Sequence, residues 1–413
     1  MITKQIILNT AKAQCADLIR KEDGAELPRL NIHLLPSPTP EFARIVTGIR
    51  RCGKSTLIRQ QIKQRYKGAF YLNFDDPRLY DFDADAFPLL DEVIMAWQAE
   101  NKNKRSADIL FFDEIQSVTG WEMYIRRKLE AGALVTITGS NATLLSRELG
   151  TKLTGRHLNT ELFPFSWDEF CKFKKFKKDL AAFRLYERQG GFPEYLKYGN
   201  EEILRTLFND ILTRDITVRY GVRDERSLKI LAGYLTANCG NLISANKLAA
   251  QFSLKTTATV LEYLSHYEQS YLLFLVPKFS NSAKIQAINP KKIYSIDPGL
   301  IRAVSTSKTK DEGRIFENII YLHLRRQNFK ICYYADKAGE CDFVYGSTEM
   351  PEFAIQVCYE LTTENQEREV RGILSAIKAF PGIQYSIVTE HQKDTILSNG
   401  IKIPVIPAIE FFK

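Results

Sequence analysis

Short apolar runs alternate with amphipathic segments between residues 44 and 140, and this alternation is the strongest pattern in the chain. Each run has four or five residues, favours a β-strand and ends where a polar residue or a glycine follows; the runs cover residues 44–47, 69–73, 109–112 and 134–138. Strands that alternate with helical segments predict βαβ units and a parallel sheet. Because such sheets bind ligands at the carboxyl ends of their strands, we expect functional residues directly after these runs.

The pattern changes after residue 165. A helical pattern at residues 11–21 precedes the predicted sheet, and residues 166–225 predict only helices. Three further helices are followed by β-rich runs at 271–276 and 292–295, and the last block predicts one helix, three or four strands and another helix. The predicted domains are therefore residues 1–165, 166–225, 226–305 and 306–413.

Composition narrows the class of protein only a little. The 413 residues include 57 Lys and Arg against 49 Asp and Glu, and a net charge of +8 is a mild indication of a phosphate-rich partner. Seven scattered cysteines form no C-x-x-C pair, which favours a reduced, cytoplasmic protein over a disulfide framework or a zinc site. The most apolar run, at residues 271–276, is too short to cross a bilayer, so no membrane segment is expected.

A phosphate-binding loop follows the first predicted strand. The segment from Gly48 to Ser55 matches G-x-x-x-x-G-K-[ST], and a helical pattern begins directly after it. In this motif, backbone N–H groups and the helix N-terminus bind phosphate, the lysine contacts the β- and γ-phosphates, and the serine binds Mg²⁺. The alternative is a chance glycine loop, but the strand before it and the helix after it favour a site for ATP and Mg²⁺. The predicted nucleotide-binding residues are Gly48, Ile49, Arg50, Arg51, Cys52, Gly53, Lys54, Ser55 and Thr56.

Two carboxylates follow the third apolar run. Asp113 is expected at the end of that strand, where it would bind Mg²⁺ together with Ser55. Glu114 comes next and is placed to take a proton from the attacking water. An Asp-Glu pair is also compatible with a polar turn, but its combination with the phosphate loop favours hydrolysis.

Two weaker candidates come later in this domain. Ser140 or Asn141 follows the fourth run, where a polar side chain would sense the γ-phosphate; capping of a helix at 142–149 explains the same residues equally well. Arg156 is a candidate arginine finger that stabilises charge on the transferred phosphoryl group. The alternative role of Arg156 is an ordinary surface ion pair.

Several phrases coincide with those of one family. They are Asp113-Glu-Ile-Gln116 with Trp121, Thr138-Gly-Ser-Asn141, Leu153-Thr-Gly-Arg156, Gly190-Gly-Phe-Pro-Glu194, Lys291-Lys-Ile-Tyr-Ser-Ile-Asp-Pro-Gly-Leu300 and Gly313-Arg-Ile-Phe-Glu-Asn318. With them the chain resembles prokaryotic AAA-type ATPases that carry a P-loop domain, a winged helix and a restriction-endonuclease-like domain. The resemblance implies an α/β fold in which the P-loop NTPase parallel sheet is followed by a helical lid, the winged helix and the C-terminal α/β domain. It also implies ATPase chemistry.

Two segments are candidates for contact with nucleic acid. The second helix of the implied winged helix begins near Lys255 and would enter a major groove, but Glu262 and Glu268 counter its charge. A winged helix that docks protein has the same apolar pattern. Residues 172–178 combine five lysines with two phenylalanines; this run would bind a phosphate backbone or, as we expect, form a solvated helix face.

The C-terminal domain departs from the nuclease pattern to which the resemblance points. Such nucleases hold Mg²⁺ with carboxylates and place a lysine beside the attacked phosphate. Glu317 and Asp342 match the carboxylates, but Gln356 and Cys358 stand where a carboxylate and the lysine are usual. Without that cation we expect no cleavage of DNA or RNA, unless a lysine from elsewhere, with Lys378 as the candidate, replaces it.

The sequence as a whole predicts Mg²⁺-dependent ATP binding and hydrolysis coupled to a DNA or protein partner, with a homo-oligomer as one arrangement. Two other functions stay open. One is a nucleotide-regulated, metal-dependent nuclease, and the other is a nucleotide-gated interaction module that does not hydrolyse ATP.

Overall fold

The computed structural model describes residues 2–20, 29, 39–101, 103, 106–142, 153, 155–305 and 312–413. The chain forms two compact units, Met1–Leu162 and Phe163–Lys413. The finer division into four domains stays a prediction. No helix among the described residues is both long enough and apolar enough to cross a membrane.

The first unit is built from parallel strands and the helices that connect them. Its strands are β1 (Ala43–Thr47), β2 (Phe70–Asn73), β3 (Ile109–Asp113), β4 (Leu134–Gly139) and β5 (His157–Glu161). Its helices are α1 (Lys4–Arg20), α2 (Lys54–Gln64), α3 (Phe87–Glu100) and α4 (Trp121–Glu130). The strands pair in the order β2-β3-β4-β1-β5, and each pairing is parallel. The predicted parallel sheet is therefore present, with β1 in its interior.

The strands β1 to β4 coincide with the four apolar runs, whereas β5 lacks such a run. Every residue of β1 and β3 is buried, because helices cover both faces of the sheet there. Strand β5 lies at an edge, and its residues are all half-buried or exposed, so it has no continuous apolar stretch.

Helix α1 packs against β2 at the other edge of the sheet. It begins at Lys4, seven residues before the predicted helix. The Gln14 side chain forms a two-way contact with the strand: its Nε2 donates to the Asn73 carbonyl (3.1 Å) and its Oε1 accepts from the Asn73 N–H (2.8 Å). The amide thereby satisfies backbone groups at the end of an edge strand.

The second unit begins with helices. They are α5 (Trp167–Lys174), α6 (Leu180–Gln189), α7 (Pro193–Tyr198), α8 (Glu202–Asp210) with its π-helical continuation Ile211–Val218, and α9 (Glu225–Ala237). Helices α10 (Ala245–Gln251) and α11 (Thr257–Gln269) follow, with β6 (Leu242–Ile243) before them and β7 (Leu273–Val276), α12 (Ala283–Ile288) and β8 (Lys291–Ser295) after them. Strands β6, β8 and β7 form an antiparallel sheet in that order. The predicted three helices and two strands are present, whereas the short strand β6 and the helix α12 were not predicted.

A mixed six-stranded sheet forms the last part of the second unit. Its elements are α13 (Pro298–Val304), α14 (Glu312–Arg326), β9 (Lys330–Ala335), β10 (Glu340–Gly346), β11 (Phe353–Val357), α15 (Gln366–Ala379), β12 (Gln384–Thr389), β13 (Asp394–Ser398), β14 (Ile401–Pro407) and α16 (Ala408–Phe411). The strand order is β13-β14-β12-β11-β10-β9, with parallel pairing only between β11, β12 and β14. The expected three or four strands were too few.

Two of the family phrases meet in one close-packed joint. The Asp297 carboxylate accepts the Gly191 N–H (2.6 Å) and the Leu300 N–H (3.0 Å), so it caps α13 while it holds the turn after α6. A Cβ on Gly190 would lie 2.1 Å from Asp297 Oδ1, and one on Gly299 would lie 2.2 Å from the Gln189 carbonyl. Only glycine fits at position 190 while Asp297 stays in place, and only glycine fits at position 299 while the Gln189 backbone stays in place.

Candidate functional site

The loop between β1 and α2 contains two glycines whose backbone conformations other residues rarely adopt. Gly48 and Gly53 have φ angles of +154° and +105°. A Cβ on Gly48 would lie 2.0 Å from the Leu162 carbonyl, so the loop and the end of β5 are in direct contact. Helix α2 begins at Lys54, directly after Gly53, and its first N–H groups therefore border the loop.

Lys54 lies over the loop with its ammonium against backbone carbonyls. Its Nζ donates to the carbonyls of Gly48 (2.9 Å) and Ile49 (3.1 Å), and the residue is buried. These bonds satisfy a buried charge with neutral acceptors. An anionic ligand in the loop would give the ammonium a stronger partner.

Asp113 is surrounded by three hydroxyl donors. Its Oδ2 accepts from Ser55 Oγ (2.7 Å) and Tyr71 Oη (2.9 Å), and its Oδ1 accepts from Thr138 Oγ1. Ser55, Tyr71 and Thr138 come from α2, β2 and β4, so the carboxylate sits where the loop meets both neighbours of β3. Burial of Tyr71 and the nearby Asp113 charge keep this phenol protonated by raising its pKa well above the usual value.

Glu114 follows Asp113 in a left-handed backbone conformation, with φ of 56°. A glutamate rarely adopts this conformation, and such strain clusters at functional sites. The conformation directs the Glu114 carboxylate to Gln116 Nε2 and to the N–H (3.3 Å) and Oγ (3.4 Å) of Ser140. Burial raises the pKa of Glu114, and the Asp113 charge adds to the rise, while Lys54, Gln116 and Arg50 oppose it.

The donor set fits a nucleotide with a hard cation. Mg²⁺ prefers oxygen ligands, and the Ser55 hydroxyl and the Asp113 carboxylate already lie at hydrogen-bonding distance. Lys54 and the N–H groups of the loop supply the opposite charge that phosphates need. A carboxylate with a raised pKa, held beside this pair, is suited to accept a proton.

The two weaker candidates lie in different places. Asn141 is buried just after β4, but it is Ser140 that contacts Glu114. The helix expected at 142–149 falls almost entirely outside the described residues.

Arg156 lies at the other end of the sheet. Its carbonyl accepts the N–H of Ala43 (3.0 Å), which is the first residue of β1, whereas the phosphate loop follows Thr47 at the strand's end. At roughly 3.3 Å per residue, the two ends are roughly 13 Å apart along the strand. The structure therefore does not bring Arg156 to the phosphate loop of its own chain, and a role in trans stays a prediction.

Three residues of the site were missed by the sequence reasoning. Tyr71 lies in a predicted strand, and Thr138 lies in a predicted strand and in a family phrase, but neither they nor Arg29 were predicted as site residues. Arg29 Nη1 donates to the Cys52 carbonyl (2.7 Å), so this arginine supports the loop from outside. A usable signal existed only for Tyr71 and Thr138, because both lie near the ends of predicted strands that neighbour Asp113.

The lysine-rich segment of the second unit is part of a helix and the turn after it. Phe173 packs against Phe165, with ring centroids 5.3 Å apart, and Lys174 Nζ donates to the Leu196 carbonyl (2.8 Å). Lys178 pairs with Asp168. Two of its five lysines thus have partners within the protein, and because the helix ends at Lys174, only the first part of the run belongs to the expected helix face.

Comparisons with known proteins place the site in a family. Residues 41–171 match a family described as an AAA domain, and residues 180–311 match one described as a domain of unknown function (DUF8612). The chain is 36% identical to the uncharacterized protein MJ1544 of Methanocaldococcus jannaschii over 89% of this chain and 87% of that protein. An uncharacterized protein of Haemophilus influenzae is 27% identical over 80% of this chain and 85% of its own length.

A solved structure also resembles the chain weakly. It is the replication initiator DnaA bound to AMPPCP and single-stranded DNA, at 15% identity and a TM-score of 0.28 over 64% of this chain and 91% of that chain. A likeness of this size supports no argument about ligands or partners.

Proposed function

The chain belongs to the same family as the Methanocaldococcus jannaschii protein and carries an AAA-type P-loop domain, and from the geometry of that domain's site we propose Mg²⁺-dependent ATP hydrolysis coupled to a partner. The observation that carries the proposal is the contact between Ser55 Oγ and Asp113 Oδ2 at 2.7 Å, with Glu114 next to it. A hydroxyl from the phosphate-loop helix, a carboxylate at a strand end and an adjacent base are the parts that phosphoryl transfer to water requires.

Each residue has one task in this mechanism. The loop N–H groups and Lys54 bind the phosphates of ATP, and Ser55 with Asp113 would hold Mg²⁺, which offsets charge on the phosphate oxygens. Glu114 orients the attacking water and accepts its proton as the water oxygen bonds to the γ-phosphorus and the bond to ADP breaks. The raised pKa of Glu114 makes it a stronger base than an exposed glutamate.

The test is phosphate release and nucleotide binding in Lys54→Ala. We expect this variant to lose binding of ATP, measured by calorimetry, and to release no phosphate above the level seen with EDTA. Lys67→Ala is the matched control, because Lys67 is an exposed lysine just beyond the same helix. Near-normal ATP affinity in Lys54→Ala would remove the assignment of the loop.

The partner is the second part of the proposal, and the exposed face of α11 favours protein over duplex DNA. That face presents Ala258, Leu261 and Glu262 but no lysine or arginine, and Leu261 is 55% exposed. Ile288 on the following helix is 75% exposed. Apolar exposed residues are typical of protein contacts, whereas DNA affinity depends mainly on cations that neutralise phosphates.

A mobility-shift titration separates the two partners. We expect at most weak, sequence-tolerant duplex binding that is lost steeply as salt rises, because it would rest on scattered lysines. A tight shift that persists at high salt would contradict the preference for a protein partner.

A further inference from the structure

One lysine of the second unit is buried among three carboxylates. Lys292 lies on β8, and its side chain is 4% exposed. Its Nζ lies 2.7 Å from Asp342 Oδ1, 3.0 Å from Glu340 Oε1 and 3.1 Å from Glu317 Oε1. The acceptors come from β10 and α14, so the ammonium joins β8 to two elements of the C-terminal region.

The number of N–H donors on the Lys292 ammonium equals the number of carboxylates around it. Lysine carries three N–H donors, and each of the three carboxylates contributes one oxygen. Burial disfavours the charged form of Lys292, but Asp342, Glu317 and Glu340 outweigh it and hold the pKa well above the usual value for lysine.

Two of the carboxylates make further hydrogen bonds. Asp342 Oδ2 accepts the Val357 N–H (2.9 Å), and Glu317 Oε1 accepts a second bond from Tyr294 Oη (2.6 Å). The side-chain carbonyl oxygen of Gln356, Oε1, accepts the Asp342 N–H (3.2 Å), and Gln356 Nε2 donates to Glu369 Oε2 (2.7 Å). The Gln356 side chain therefore connects β10 to α15, and its oxygen is already bonded to a backbone N–H of β10.

These residues do not fit the divalent metal that the nuclease resemblance implies. Among the described residues there is no group of three or more His, Cys, Asp or Glu side chains placed to hold a metal ion. The point where Glu317, Glu340 and Asp342 converge is taken by an ammonium, which would repel a metal at that point.

Neither Cys358, which stands at the usual position of the lysine, nor Lys378, the candidate to replace it, supplies the cation at this point. Cys358 donates from Sγ to the Glu360 carbonyl (3.1 Å), and burial raises the pKa of this thiol to about 12, so it stays neutral. It is Lys292 that contacts Asp342, and not Lys378, which lies near Asp336.

We propose that the Lys292 ammonium replaces the divalent cation of this cluster, so that the C-terminal region carries a metal-free ionic joint to β8 instead of a nuclease centre. A lysine supplied by another element holds the carboxylates together without a dissociable ion. The joint is then independent of Mg²⁺ concentration, unlike the nucleotide site of the first unit.

The test is direct measurement of Mn²⁺ binding, read from the loss of the free Mn²⁺ signal in electron paramagnetic resonance. The double substitution Ser55→Ala with Asp113→Asn first removes the metal ligands of the phosphate loop. We expect this chain, without nucleotide, to bind no Mn²⁺. Tight Mn²⁺ binding that disappears on adding Asp342→Asn would overturn the proposal.

A second comparison creates the metal site deliberately. Adding Lys292→Met to the same chain leaves three carboxylates that the ammonium no longer holds at 2.7–3.1 Å, and we expect them to move together around about one bound Mn²⁺ per chain. Asp342→Asn should abolish that gain. A folded Lys292→Met chain that binds no Mn²⁺ would contradict the claim that the ammonium stands in a cation site. The first comparison needs no Lys292 variant, so the proposal stays testable even if Lys292→Met does not fold.

Discussion

Asp113 and Glu114 are neighbours in sequence, yet their carboxylates face different surroundings. Asp113 accepts three hydroxyl bonds at the end of β3, which hold its position. Glu114 turns away through a left-handed backbone and accepts from Ser140 and Gln116. Asp113 is thereby held in place, as the Mg²⁺ ligand that we propose would need to be, while Glu114 accepts from groups that an incoming water can replace.

Glu114→Gln should separate binding from hydrolysis. An amide of the same shape cannot accept the proton, so we expect ATP affinity to be retained while phosphate release falls by about 10²-fold or more. Hydrolysis by the natural chain should also decline as the pH falls through the pKa of Glu114, because only the ionised form is a base. Since burial raises that pKa, the decline should begin above the usual range for glutamate. Unchanged turnover in the variant would mean that another residue activates the water.

Tyr71→Phe tests whether the unpredicted phenol matters to the site. Loss of the bond to Asp113 Oδ2 should loosen the proposed metal ligand, and such supporting bonds are typically worth about 10-fold or more in metal affinity. We expect half-maximal hydrolysis to require about 10-fold more Mg²⁺, while ATP binding in EDTA stays unchanged. Tyr80→Phe is the control, because Tyr80 is 92% exposed. A normal Mg²⁺ dependence in Tyr71→Phe would show that Ser55 and Thr138 suffice to fix Asp113.

At the scale of elements, sequence predicts best where burial is uniform. Strands β1 to β4 were predictable because they are nearly continuous apolar runs, whereas β5 is an edge strand with the mixed sequence His-Leu-Asn-Thr-Glu. The phosphate loop was equally predictable from the sequence, because its two glycines meet a need for unusual backbone angles within a few consecutive residues. Tyr71 and Lys292 were missed because their importance comes from partners 42 and 50 residues away, at Asp113 and Asp342. Periodicity carries no information about such distant pairs.

Gly191→Ala tests the joint between α6 and α13. A Cβ at this position would lie 2.2 Å from the Phe165 carbonyl, so backbone must move, and we expect a loss of about 1–3 kcal/mol in the free energy of unfolding. Gly233→Ala is the matched control, because Gly233 lies inside α9 with no atom within 4 Å of its added Cβ. That control should gain about 0.5–1 kcal/mol from lower backbone entropy of the unfolded chain. Urea denaturation followed by circular dichroism measures both, and equal stabilities would contradict the close packing.

At the scale of the whole molecule, Arg156 raises the question of a second copy of the chain. Its position at the amino end of the strands leaves it remote from the loop that follows β1. If Arg156 acts in hydrolysis, it therefore acts on a neighbouring chain, as arginine fingers in trans do.

Mixing two inactive variants tests this role. Lys54→Ala lacks nucleotide binding but keeps Arg156, and Arg156→Ala has the reverse defect. We expect Arg156→Ala to bind ATP normally with lowered turnover, and the mixture to release more phosphate than the two variants measured separately. Light scattering gives the oligomeric state in parallel. A monomeric protein in which Arg156→Ala turns over normally would make Arg156 a surface residue.

The joint of Gly190, Gly299 and Asp297 also restricts how the sequence can change by descent. The space that Gly190 leaves empty is filled by the Asp297 carboxylate, so the effect of mutating one depends on which residue occupies the other. Such dependence is epistasis: a larger residue at position 190 escapes the clash only after position 297 has become smaller, and the φ of 70° at Gly190 adds strain in either case. That smaller residue, in turn, would leave the Gly191 N–H without its acceptor. Lineages that keep this fold are therefore expected to alter these positions together or not at all.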